Sequence, residues 1–152
     1  MAVQITQTTQ LSVFSLIRAA ILADSTLSNK FTNANIFQFE PNHKSGSFRG
    51  FPYIWINIPS TEVSKVVFDN SVTLKPMTVD VSLRMDYFAR DNFLSFANNL
   101  IRAIEAYEST FEASGYYDVM IDLIDVDSNQ VINQKELVEG LFEVRFNTQV
   151  AR

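Results

Sequence analysis

Asp125–Glu136 reads DVDSNQVINQKE. Asp125, Asp127 and Asn129 stand at positions 1, 3 and 5, Ile132 at 8 and Glu136 at 12, which is most of the pattern of a calcium-binding EF-hand loop. On that reading this part of the chain is helix–loop–helix. The other reading is two β-rich segments joined by a polar turn, since Asp and Asn stabilise turns through their own side chains. Three features favour the turn. Position 6, where the EF-hand backbone turns sharply and takes Gly, is Gln130. No second loop of this kind occurs in the chain. Beyond it, Phe142, Val144 and Phe146 alternate with Glu143 and Arg145, a strand pattern rather than an outgoing helix. The expectation is therefore a polar connection whose acids face solvent or a neighbouring subunit. A calcium site at Asp125, Asp127, Asn129 and Glu136 stands as the alternative.

The clearest strand is Thr78–Phe88, TVDVSLRMDYF. Val79, Val81, Leu83, Met85 and Tyr87 alternate with Asp80, Ser82, Arg84 and Asp86, so one face is buried and the other is wet or meets a polar partner. Phe51–Pro59, FPYIWINIP, is apolar on both sides, which predicts a central strand covered on both faces. SKVVF and SVTL flank the turn formers Asp69 and Asn70 and read as a hairpin or an interrupted strand. Lys75-Pro76 should break the pairing or sit at an edge.

Two helices frame these strands. Residues 10–24 carry Leu11, Phe14, Ile17, Ile21 and Leu22 at helical spacing, with Thr8 or Thr9 as N-cap. Asp91 or Asn92 caps a second helix from Phe93, with an apolar stripe through Phe96, Leu100, Ile104 and Phe111 and a stop at Gly115. Residues 25–50 read as a long polar loop with a short strand at Ile36–Phe39. Strand runs separated by helices predict one α+β domain over residues 1–152: a mostly antiparallel sheet with both helices on one face.

Composition narrows the chemistry. The 152 residues suit one domain with a full core. Hydrophobic residues make up 47% and charged residues 19%, which disfavours disorder. A net charge of −5 argues against a protein that grips a phosphate backbone. It suits one that lets DNA pass without adhering. With no Cys and a single His, His43, thiol chemistry, disulfides and multi-His zinc sites are excluded. Neither a signal peptide nor an apolar run of membrane-spanning length is visible. Asp80 and Asp86 lie about 20 Å apart along one strand, too far for a catalytic pair. With 4 Gly and no glycine-rich motif, a nucleotide loop is not expected, and no cofactor is called for. A small enzyme around His43 has no second catalytic partner to name. Lys44 and Arg49 make HKSGSFRG the one basic excess, and with His43, Asp69 and Asn70 they are candidate subunit or partner contacts.

The order of elements resembles one family. FPYIWINIPS follows a long loop, VTLKPMTVDVSLRMDYFAR runs straight into DNFLSFANNLIRAIEAY, and the chain closes on LFEVRFNTQV. This plan, over roughly residues 10–150, resembles the tail terminator (tail completion) proteins of long-tailed bacteriophages and the related neck and head–tail joining proteins. The resemblance implies an α+β subunit without an active site, forming a hexameric ring that caps the tail tube and docks to the head connector. DNA would pass through its channel without specific binding. It also implies a virion protein assembled in the host cytoplasm.

Overall fold

The computed structural model describes residues 2–4, 7–41, 50–58, 62–64, 73–132 and 135–150. The elements are β1 (Ala2–Gln4), α1 (Gln7–Ala23), β2 (Ile36–Phe37), β3 (Tyr53–Asn57), β4 (Glu62–Ser64), β5 (Thr73–Asp86), α2 (Phe93–Ala106), α3 (Glu108–Ala113), β6 (Tyr116–Ile132) and β7 (Lys135–Val150). Short 3-10 turns lie at Leu27–Asn29, Asn33–Asn35 and Tyr87–Asn92.

A five-stranded sheet in the order β2-β3-β5-β7-β6 dominates; only the β2–β3 pair is parallel. β1 and β4 form a separate antiparallel pair, which sequence periodicity did not announce. The class is α+β, with the main helices on one face of a mostly antiparallel sheet. On that face Ile54, Ile56, Val79, Val81, Leu83, Phe142 and Val144 meet Val13, Ile17 and Ile21 of α1 and Phe93, Leu100 and Ile104 of α2 in one core cluster. Each large aliphatic or aromatic side chain so buried stabilises by about 1.5–3 kcal/mol.

Several expectations are corrected. α1 begins at Gln7, so Thr8 and Thr9 lie inside its first turn rather than at the cap; Thr there costs only a few tenths of a kcal/mol. The second helix is two: Tyr107, with φ −94° and ψ 8°, separates α2 from α3. The break accompanies the burial of Phe111, whose ring lies 6.5 Å from Phe146 and edge-on to Tyr107. Asn92 stands at the N-cap of α2 but makes no side-chain cap bond, because the preceding 3-10 turn already delivers the chain in helical conformation. Gly115 ends the helical segment as expected, at φ 93°.

Pro76 does not interrupt β5. It pairs with Asn147 of β7, while β3 reaches only Asp80–Arg84, so among the described residues β5 is an edge on its other side there. In residues 25–50 the expected short strand is present as β2, at Ile36–Phe37, and the described part also holds two 3-10 turns, Leu27–Asn29 and Asn33–Asn35, that were not expected. Thr32 and Asn35 close a capping box on the second of these turns.

The largest correction concerns Asp125–Glu136. Asp125 to Ile132 belong to β6, and Lys135 and Glu136 open β7. Asp125 faces Leu141, Asp127 faces Glu139 and Val131 faces Glu136 across a long antiparallel hairpin. Most of the acidic stretch is strand rather than connection. Hydrogen bonding to β7 along the ladder outweighs the local turn preference of its Asp and Asn residues, as tertiary context regularly does in sheets.

Candidate functional site

The sheet face turned away from the helices was expected to be wet or to meet a polar partner along β5, and to be covered along β3. Strand registers line up Tyr53 of β3, Arg84 of β5, Glu139 of β7 and Asp127 of β6 in one row across that face. Asp80 and Asp86 are exposed there, but Ser82 and Arg84 are each only 6% exposed. The chain on either side of residues 42–49 lies over Arg84 and the neighbouring Tyr53. Phe37 meets the Tyr53 ring edge-on at 5.6 Å, and Phe51 stacks on it at 5.5 Å. Glu40 reaches over to accept a hydrogen bond from Arg84 at 3.1 Å.

Arg84 is the centre of this cluster. Its Nε donates to Glu139 Oε2, and its Nη1 donates to the Tyr53 hydroxyl at 2.8 Å. Its guanidinium lies 5.7 Å from the Tyr53 ring centre and 5.4 Å from that of Trp55. Gln130 Nε2 donates to the other Glu139 oxygen at 3.0 Å. Burial alone would lower the Arg84 pKa, but the bonds to Tyr53 and Glu139 outweigh it and raise it. Burial raises the Tyr53 pKa, and the bond from Arg84 only partly opposes this. Neither group exchanges a proton near neutrality, so Arg84 and Tyr53 form a structural clamp rather than an acid–base pair. Charged groups so paired fix the position of the segment that carries Glu40.

Around the clamp the face is acidic. Among the described side chains, Asp80 and Asp86 of β5, Glu139 and Glu143 of β7, and Asp122, Asp125 and Asp127 of β6 share it with two cations, Arg84 and Arg145. Arg84 is neutralised by Glu139 and Glu40, and Arg145 is ion-paired to Asp122. Asp80, Glu143 and Asp122 stand side by side on three successive strands, about 4.8 Å from one to the next. At the end of the sheet, β6 also exposes Met120, Ile124, Val126 and Val131.

The calcium alternative loses its scaffold. Asp125 and Asp127 lie on β6, Asn129 on the same strand and Glu136 on β7, and no helix flanks them on either side as an EF-hand requires. Among the described residues, no three His, Cys, Asp or Glu side chains are grouped to hold a metal ion. His43, Lys44, Arg49, Asp69 and Asn70 lie outside the described residues. Sequence reasoning missed the clamp; its only local signal was one long cation, Arg84, inside an otherwise apolar-alternating strand. No helix among the described residues is long and apolar enough to cross a membrane.

No protein-family model matches the chain, and no curated protein matches it.

Proposed function

We propose that this chain is a structural virion protein: a tail terminator, or a close relative in the neck, of a long-tailed bacteriophage. In this reading identical subunits form a ring, with a hexamer expected, that caps the tail tube and joins it to the head connector. The genome passes through the ring, and no step is catalytic. The protein acts in the virion after assembly in the host cytoplasm.

The observation that carries this reading is the acidic sheet face. Among the described side chains seven carboxylates, Asp80, Asp86, Asp122, Asp125, Asp127, Glu139 and Glu143, share it with two guanidiniums, which are ion-paired to Glu139 and Asp122. A predominantly acidic surface repels the phosphate backbone and gives DNA little counterion-releasing foothold. That property suits a wall past which DNA must slide. The calcium-binding alternative has no comparable support.

Light scattering of the purified protein, alone and mixed with tail tubes, tests the reading. A hexamer, or a monomer that assembles on tube ends, is expected. A protein that stays monomeric and sediments apart from tubes would count decisively against it. A charge-reversed face, Asp80→Lys with Glu143→Lys, should gain DNA binding that fades with added salt, while the parent protein shows none.

A further inference from the structure

We propose that the free edge of β6 is a docking site for an extended basic strand of another polypeptide. β6 is the last strand of its sheet, 17 residues long, and only β7 pairs with it among the described residues. An unpaired edge offers a row of backbone N–H and C=O groups that a second chain completes by strand addition. Folded proteins usually guard such an edge with Lys or Pro. Residues 116–132 contain neither. Three register irregularities partly guard it, but Met120–Leu123 and Asp125–Asp127 remain regular.

The side chains name the partner. Met120, Ile124, Val126 and Val131 are exposed, an apolar lining for an incoming strand. Asp118 precedes them and Asp122, Asp125 and Asp127 stand between them, with no Lys or Arg anywhere in the strand. Arg145 is ion-paired to Asp122, and Asn147 donates to Asp118 at 3.1 Å. A second copy of β6 would bring four more Asp and no Lys or Arg against this edge, and that like net charge disfavours the pairing. Charge complementarity therefore selects a strand that alternates apolar residues with Lys or Arg. The inference stands on edge geometry and charge, and does not depend on the ring reading.

The test uses the full chain and two synthetic peptides, one alternating valine with lysine and threonine, the other carrying glutamate in place of lysine. Titration followed by amide hydrogen exchange should show saturable binding of the basic peptide alone, with new protection along Met120–Asp127. Asp125→Lys should weaken it about tenfold, the sum of several cross-strand charge terms. Asp80→Lys, on the same face but two strands from the edge, should change it by less than about twofold, because exposed charges about 10 Å away are largely screened. Equal binding of the acidic peptide would overturn the proposal. So would protection confined to β5 and β7, equal losses in the two variants, or pairing of β6 with β6 of a second copy.

Discussion

Arg84 and Glu139 face each other directly across β5 and β7, and the Arg84 guanidinium closes onto Glu139 beneath a lid formed by Phe37, Glu40 and Phe51. Their side chains are 7% and 16% exposed, so each depends on the other for its solvation. Removing one partner of such a pair costs about 3–5 kcal/mol, whereas replacing both with apolar groups is often neutral. Arg84→Met should therefore lower the melting temperature by about 10 °C. The double variant Arg84→Met with Glu139→Leu should recover most of that loss. A double-mutant cycle by thermal denaturation measures it, and additive losses would show that the pair contributes no coupling.

Tyr53 makes stability depend on alkaline pH. Burial raises its folded-state pKa above the unfolded value of about 10. The sign follows from proton counts: between the two pKa values the unfolded chain has lost the phenol proton and the folded chain has kept it. Stability from this group is thus fully present below about pH 10 and is lost as pH rises through the folded pKa. Urea midpoints followed from neutral pH upward should fall more steeply in the parent than in Tyr53→Phe. Parallel slopes would mean that Tyr53 ionises freely in the fold.

Two glycines differ in what a methyl group would meet. A Cβ on Gly140 would lie 2.2 Å from Cζ of Phe93, a contact that the first residue of α2 must relieve by moving. Gly140→Ala should cost about 1–3 kcal/mol. Combining it with Phe93→Leu should cost less than the sum of the two single changes by about 1 kcal/mol. Gly115 has open space around its Cβ position but a φ of 93°. Gly115→Ala should cost about 1 kcal/mol through backbone strain alone, and no change in a neighbouring side chain should rescue it.

Calcium at about 1 mM, enough to fill even weak extracellular sites, should leave the melting temperature unchanged. A stabilisation that Glu136→Gln abolishes would restore the calcium reading of Asp125, Asp127, Asn129 and Glu136.

By itself the sequence determined the elements whose signal is local and periodic. Apolar spacing marked α1, the stripe of α2, and the alternation of β5 at Val79, Val81, Leu83 and Met85, and these sufficed for the α+β class. Only the tertiary structure decided where local preference and long-range pairing compete. Asp125 to Ile132 carry turn-forming residues yet run as strand, because β7 pairs with Asp125–Asp127 and with Gln130–Ile132 on either side of a register shift. Ser82 and Arg84 occupy alternation positions that read as solvent-facing. Both are buried, and over Arg84 and Tyr53 lie Phe37, Glu40 and Phe51, about 30 to 50 residues earlier in the chain. No short window of sequence contains both Arg84 and Glu40. Periodicity reports which side of a strand a residue is on; only the assembled chain reports what lies over that side.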